Sequence, residues 1–209
     1  MHRREVLESA AEEAHFPPSF PVDVSAEAVV GQESGYGPLF HRRYRTRIRE
    51  AALSEEDLLS SVKSNLNKAA PTKLARFEKV LGEQDAMALG DEYVVRMPGP
   101  WDGPVRVIAE SSMSFRFATL RGHLEAGQIE FRAGPPGHDH GFLVFEIESW
   151  ARSSDWLSNL LYHHLRMSKE VQLHMWISFL EGVTNLAGGR MTGGVEIDTW
   201  RIENAADGR

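Results

Sequence analysis

The chain has 209 residues, a formal net charge of −7 at pH 7, a hydrophobic fraction of 42% and no cysteine. This length fits one domain, the apolar content excludes wholesale disorder, and the lack of cysteine excludes disulfides, thiol catalysis and thiolate metal sites. The sequence has no apolar run of membrane-spanning length and no apolar signal segment after the N-terminus, so we expect a cytoplasmic protein without a membrane span.

The first 34 residues are interpreted as an acidic N-terminal extension, because they carry seven acidic side chains against two arginines. Residues 5–14 are predicted to form a short helix that ends before Pro17 and Pro18. The extension holds most of the net charge, which leaves the rest of the chain nearly neutral. We therefore predict a domain over residues 35–189 and a C-terminal tail over residues 190–209, with one extra strand at 195–202.

The domain begins with a strand and two helices. Apolar and polar residues alternate over residues 39–48, which predicts a half-buried strand. Ser54, followed by three acidic residues, indicates the start of a helix, since serine caps helix N-termini and acids are favoured in the first turn. Pro71 indicates a second helix, with apolar residues at helical spacing up to Gly82.

Strands and one long helix are predicted for the remainder. About five segments between residues 93 and 151 show strand alternation, and glycine and proline are frequent in the links between them. An apolar stripe predicts a C-terminal helix over residues 155–187, broken near residues 166–168 with Ser168 capping its second half. The predicted fold class is α+β, a curved antiparallel sheet wrapped around the long C-terminal helix, because this helix-grip arrangement buries both apolar surfaces.

Three blocks of sequence resemble a known family. They are Gly-Pro-Leu-Phe at residues 37–40, Gly-Pro-Trp-Asp-Gly-Pro-Val-Arg-Val at 99–107, and residues 114–127, whose most specific part is Thr-Leu-Arg-Gly-His-Leu-Glu-Ala-Gly at 119–127. Together they resemble the domain-of-unknown-function family nineteen-ninety, found in bacteria and plants and related to the START and pollen-allergen (SRPBCC) superfamily. The resemblance covers residues 36–189. It implies a START-like helix-grip fold and a cavity for an apolar small molecule, and it implies no established activity or catalytic set.

Inward-facing apolar side chains are the first candidates for a ligand site. A cavity in such a fold would be lined by aromatic residues of the strands and apolar residues of the C-terminal helix. The candidate ligand-binding residues of this kind are Phe115, Phe117, Phe131, Phe145, Met175 and Phe179. Core packing explains the same residues, and the sequence does not separate a filled core from a hollow one.

His123 and Glu125 complete the set of ligand-binding candidates, because they lie in a glycine-bounded loop that would rim the cavity. A histidine two residues from a carboxylate can orient a polar group or share a proton, so the pair is also the weak candidate for catalysis. In the alternative interpretation His123 bonds to the backbone and Glu125 stabilises the turn.

Charged residues of the strands suggest other partners. His41 and four arginines alternate along one face of the first strand, a pattern that could follow a nucleic-acid backbone. The acidic chain argues against nucleic acid, and pairing with the extension or with a second copy in a homodimer would also cover this stripe. Glu146 and Glu148 share one strand face, and cross-strand charge pairing on a wet surface explains them better than glycosidase chemistry.

No cofactor or metal is predicted. His138, Asp139 and His140 place potential metal ligands within one turn. A catalytic zinc site usually needs three protein ligands with a supporting shell, and nothing obvious completes such a set unless the loops converge and His123 supplies the third. Nucleophile elbow, phosphate loop and dinucleotide fingerprint are all missing.

The first functional hypothesis is a protein that binds an apolar or amphipathic small molecule between sheet and helix. The alternatives are an interaction or regulatory module with a filled core, and a cyclase- or hydrolase-type enzyme that uses His123 and Glu125. We expect a binding protein rather than an enzyme.

Overall fold

A computed structural model of the chain describes residues 2–8, 15–21, 29–98, 102–134, 141–154 and 165–202. Within these residues one nine-stranded sheet has the order β1-β9-β2-β8-β7-β6-β5-β4-β3. Its strands are β1 (His2–Glu8), β2 (Tyr36–Arg49), β3 (Arg76–Leu81), β4 (Glu92–Arg96), β5 (Asp102–Glu110), β6 (Ser114–Thr119), β7 (Glu125–Ala133), β8 (Leu143–Ser153) and β9 (Arg190–Ile202). Neighbouring strands are antiparallel except β1 and β9, which pair in parallel.

Two α-helices, α1 (Glu55–Ser64) and α2 (Leu165–Leu186), are described beside the sheet. Phe179 and Val183 of α2 are fully buried and belong to the same apolar core as Ile48, Phe117 and Phe131 of the sheet. The predicted α+β helix-grip fold is therefore confirmed. In the part of the chain that the structure describes, no helix is long and apolar enough to cross a membrane.

Local sequence accounts for the elements that were predicted well. In β2 the core-facing Tyr44 and Ile48 alternate with residues of the outer face, as the strand pattern indicates. The side chain of Ser54 accepts a hydrogen bond of 3.1 Å from the backbone N–H of Asp57, so α1 begins with the predicted N-cap. The strand predicted at residues 195–202 is present as the second part of β9.

The second helix predicted from Pro71 is wrong, because residues 76–81 form strand β3. Phe77 lies opposite Val95 of β4, and the Asn67 side chain bonds to both backbone groups of Phe77 at 2.9 and 2.8 Å. Side-chain and cross-strand hydrogen bonds hold this backbone extended. Apolar residues at helical spacing were therefore outweighed by tertiary pairing.

Two further local predictions differ from the structure. Residues 2–8 form a strand in register with β9, so the predicted helix over residues 5–14 is wrong for residues 5–8. Residues 9–14 lie outside the described residues. Helix α2 is continuous from Leu165, so the break near residues 166–168 is wrong; residues 155–164 are outside the description. The domain boundaries at residues 34 and 190 stay predictions, and strands of both flanking segments join the sheet.

Candidate functional site

A cavity of about 410 Å³ lies between the sheet and the N-terminal half of α2. Strands β2 to β8 and the first described turns of α2 all contribute to its wall. The contributing side chains include Phe40, Arg42, Phe77, Val95, Val105, Phe117, Glu125, Ile129, Phe131, Ser149, Ala151, Val171, Gln172, Met175 and Trp176. Cavities of this volume accommodate small organic ligands in other proteins.

The two ends of the cavity differ in polarity. Phe77, Val95, Val105 and Phe117 line it from β3, β4, β5 and β6, and Leu74 continues this apolar wall. The opposite end, built by β2, β8 and β7, is polar. It carries Arg42, Ser149 and Glu125, with Gln172 of α2 above them. The strand order therefore separates an apolar end from a polar end along one continuous space.

The structure brings five of the eight sequence candidates to the cavity wall. They are Phe117, His123, Glu125, Phe131 and Met175.

The other three candidates do not line the cavity. Phe115, Phe145 and Phe179 are completely buried in the packed core. Phe115 and Phe145 lie on the same face of the sheet as the lining aromatics, and Phe179 belongs to α2. All three are packed in the core. For these three the core-packing interpretation describes their position.

Several wall residues escaped the sequence analysis. Arg42 lies between Phe40 and Tyr44 on the inward face of β2. The alternating pattern places this charged residue on the apolar face, so the sequence could have identified it as a candidate. Gln172 and Trp176 could not be recognised, because the helical stripe does not say which turn faces open space.

His123 is bonded to the backbone of its own turn. The backbone N–H of Glu125 donates to Nδ1 of His123 at 2.9 Å, which leaves the proton of the neutral ring on Nε2. Desolvation lowers the pKa of His123, with the nearby Glu125 acting in the opposite direction. The imidazole therefore stays neutral at physiological pH, and it stabilises the loop while one edge lines the cavity.

The carboxylate of Glu125 does not pair with His123. Its Oε2 accepts a hydrogen bond of 2.8 Å from Nε2 of Gln172, which connects the start of β7 to α2. The two side chains thus lack the direct contact by which a histidine–carboxylate pair shares a proton.

A second polar cluster lies on the outer face of the sheet, away from the cavity. His41 is 3% exposed and stacks between Trp150 and Trp200, with ring centroids 5.2 and 4.5 Å away. Its Nε2 lies 2.7 Å from Oε1 of Glu148, and its Nδ1 lies 3.1 Å from Nδ1 of His15. The segment over residues 15–21 thus contacts the outer face through a histidine pair.

The structure corrects one interpretation of Glu146 and Glu148. Both face outward beside Arg132, as predicted, and Arg132 donates to each of them. They are nevertheless only 4% and 8% exposed, so the surface around them is buried and not wet. On the same face, the carbonyl of Pro18 accepts hydrogen bonds from Gln128 and Arg116.

Two arginines of the basic stripe of β2 have carboxylate partners in β9. Arg43 donates to Asp198 at 2.7 Å, and Arg47 lies 3.2 Å from Glu196. Intramolecular pairing with the C-terminal strand therefore involves these two arginines, while His41 of the same stripe contacts His15 of the N-terminal segment. Nucleic-acid binding and a homodimer stay predictions.

The pKa of His41 gives a testable dependence of stability on pH. Burial, joined by the charges of His15, Arg43 and Arg132 and opposed by Glu146, lowers this pKa from 6.5 to about 3. The His41 side chain of the unfolded chain takes up a proton near pH 6.5, whereas that of the folded chain does so only near pH 3. His41 therefore lowers the free energy of unfolding as the pH falls from about 6.5 towards 3.

We expect His41→Gln to reduce this loss of stability in acid. Between about pH 6 and pH 4.5 the wild-type free energy of unfolding should fall more steeply than that of the variant, by about 1.4 kcal/mol per pH unit. Urea denaturation at several pH values measures the slopes. The offset between the two curves at neutral pH reports lost packing and hydrogen bonding. Equal slopes would contradict a neutral buried His41.

No metal centre is found in the described residues. Groups of three or more histidine, aspartate or glutamate side chains arranged to hold a metal are absent from this part of the chain. His138, Asp139 and His140 lie outside the described residues, so that candidate stays a prediction.

Comparisons with known proteins concern the family and the fold. The model of a family described as "Domain of unknown function (DUF1990)" matches residues 7–180. No curated protein matches the chain.

Among solved structures, the di-domain ARO/CYC StfQ of the steffimycin biosynthetic pathway is similar, with a TM-score of 0.53 and 9% identity over 75% of this chain and 52% of that chain. The present chain therefore spans about half the length of that protein. Norcoclaurine synthase from Thalictrum flavum (TM-score 0.45, 12% identity, 74% of this chain and 96% of that one) is also similar. Major latex-like protein 151 from Panax ginseng is similar as well, with a TM-score of 0.46 and 13% identity over 70% of this chain and 96% of that one. At these identities the likeness concerns the fold.

Proposed function

The chain belongs to the family defined by the domain of unknown function DUF1990, and from its cavity we propose that it binds an apolar or amphipathic small molecule between the sheet and α2. The observation that carries this proposal is an open space of about 410 Å³ within a core that is otherwise closely packed. Protein interiors seldom keep voids of this size unless a ligand uses them.

The chemistry of the wall supports the same ligand class. Most of the lining side chains are aliphatic or aromatic, and a few polar groups converge at one end. Ligand sites are commonly built this way, because apolar contact supplies affinity and a few polar contacts fix orientation. The stacked rings of Phe115 and Phe131, 4.7 Å apart, support the wall from behind.

The two alternative functions receive less support from the described residues. An interaction module with a filled core would leave the space beneath α2 occupied by side chains, whereas a cavity lies there. An enzyme using His123 and Glu125 would need the two side chains to act together, and Glu125 is instead bonded to Gln172.

Filling part of the cavity should weaken binding of a neutral apolar probe. Ser149 belongs to the polar end of the wall, opposite Arg42 of β2 and Ile129 of β7, and it lines the space. We expect Ser149→Trp to weaken binding of N-phenylnaphthylamine at least about tenfold, because the indole takes the place of the probe. The assay is a fluorescence titration with direct excitation of the probe.

Ser60→Trp is the matched control. Ser60 is exposed on α1, so this substitution introduces the same side chain away from the cavity. It should bind the probe as the wild type does. Native mass spectrometry of the recombinant protein provides an independent readout, in which a co-purified molecule should be lost from Ser149→Trp and kept by Ser60→Trp. Probe binding that is unchanged in Ser149→Trp, while the variant remains folded, would refute the cavity as the binding site.

A further inference from the structure

Arg42 is the charged side chain of β2 that faces the cavity. Its strand neighbours in register are Ser149 of β8 and Thr199 of β9, and it lies on the same face as Tyr44. Its guanidinium lines the cavity and covers the Phe40 ring, with 4.8 Å between Cζ and the ring centroid. The other arginines of β2 alternate with it and therefore lie on the outer face.

Arg42 lacks a counter-charge among the described residues, whereas Arg43 and Arg47 of the same strand pair with Asp198 and Glu196. Within the described residues no carboxylate pairs with its guanidinium, whose contact is the aromatic face of Phe40. Glu125 already accepts a hydrogen bond from Gln172, and Arg152, the second guanidinium at this end, has an interaction partner. A partly buried charge that lacks a partner costs free energy, and a ligand anion would remove that cost.

Arg42 and Glu125 both act on the same polar end of the cavity. Burial raises the pKa of the Tyr44 hydroxyl, and the two side chains modify that pKa in opposite directions, Arg42 lowering it and Glu125 raising it. Both charges therefore reach the same part of the sheet. Because Arg152 already has an interaction partner and Glu125 adds a negative charge at this end, Arg42 favours a head group with a single negative charge over a phosphate dianion.

We propose that Arg42 binds the carboxylate of an amphipathic monocarboxylic acid whose apolar body extends toward β3 to β6. The planar guanidinium fork matches a carboxylate in a bidentate geometry. The apolar end, lined by Phe77, Val95 and Val105, accepts the body of the same molecule. This inference rests on the proposed binding function and adds the chemical class of the ligand and its orientation.

A pair of probes that differ only in the head group tests the inference. Dansylaminoundecanoic acid and its methyl ester carry the same apolar body, and fluorescence titration gives the dissociation constant of each. We expect the wild type to bind the acid about tenfold more tightly than the ester, since a charge-assisted hydrogen bond distinguishes them. In Arg42→Gln the acid should weaken to the level of the ester, whereas the ester should be unaffected.

Two variants of arginine complete the design. Arg42→Lys should keep part of the preference for the acid, because it retains the charge and loses the fork. Arg49→Gln removes the same charge from an exposed site of the outer face and should behave as the wild type.

The outcomes separate the inference from the proposed function. Equal binding of acid and ester by the wild type, or an acid preference that persists in Arg42→Gln, would overturn the role of Arg42 and leave the binding function intact. If the wild type binds neither these probes nor N-phenylnaphthylamine, both proposals fail together.

Discussion

Phe131→Ala is expected to lower the free energy of unfolding by about 3–5 kcal/mol, the usual cost of truncating a fully buried phenylalanine. Phe131 is completely buried and connects the sheet to α2. Its ring stacks on Phe115 at 4.7 Å and lies 5.6 and 5.4 Å from the rings of Trp176 and Phe179. The substitution therefore removes several aromatic contacts together with buried apolar area.

The position of Phe131 at the cavity wall places the expected loss at the upper part of that range. A void created there would join the existing space, so the surrounding side chains have little reason to collapse into it. Phe131→Leu keeps most of the volume and should cost about 1 kcal/mol. The control is Phe16→Ala, where the ring is 45% exposed and the expected loss is below about 1 kcal/mol.

Urea denaturation of these variants gives both the free energy and its dependence on denaturant. An unchanged dependence for Phe131→Ala would indicate that the variant folds to the same compact state before it unfolds. A loss below about 1 kcal/mol would contradict a core in which Phe131 joins the sheet to α2.

The sequence predicted the fold class because the sheet is built from locally readable strands. In β6 and β7, Phe117, Ile129 and Phe131 alternate with polar residues, and the structure pairs Phe117 with Ile129 in neighbouring strands. Period-two alternation fixes which face of a strand is buried, and neighbouring strands joined by short links pair with each other. The fold class needs little more information than this.

The same local patterns could not predict the pairings between distant segments. β1 joins β9 from the other end of the chain, and no periodicity in residues 2–8 identifies that partner. The sequence predicts a helix over residues 76–81 for a similar reason, since the extended backbone found there depends on Asn67 and on β4. A local pattern shows which side of a helix or strand is apolar. Where a segment fits both the helical and the strand period, long-range pairing decides which one forms.

The cavity was only partly predictable for a different physical reason. Phe115, Phe117 and Phe145 all point to the inward side, and periodicity assigns that face without saying how closely α2 approaches it at each residue. A void is a difference between the available volume and the filled volume, which depends on packing in three dimensions. Arg42 was the residue whose local context carried a signal, because it interrupts an apolar face.

Gly182→Ala is expected to destabilise the protein, although the same change stabilises most helices. Alanine has a helix propensity about 1 kcal/mol more favourable than glycine. At Gly182 of α2, however, a Cβ atom would lie 2.1 Å from the carbonyl oxygen of Ala69 and 2.8 Å from its carbonyl carbon. The clash is with backbone, so no side-chain rotation relieves it.

The backbone at Ala69 is held in place and cannot easily yield. Ala69 is 3% exposed, and its N–H donates to the carbonyl of Leu66 at 3.2 Å. We therefore expect α2 to move away from this turn, at a net cost of about 1–3 kcal/mol in the free energy of unfolding. Urea denaturation measures that change, and N-phenylnaphthylamine titration reports whether the displaced helix alters the cavity.

Asn185→Ala is the matched control for the sign of the effect. Asn185 is exposed on the same helix, so alanine there should leave stability unchanged or raise it by about 0.5 kcal/mol through propensity alone. If Gly182→Ala were also stabilising, α2 would not be seated against Ala69. Other contacts would then hold Met175 and Trp176 of the same helix in the cavity wall. Opposite signs for the two alanine variants would instead indicate that the close approach at Gly182 fixes the distance of α2 from the sheet, and with it the depth of the cavity.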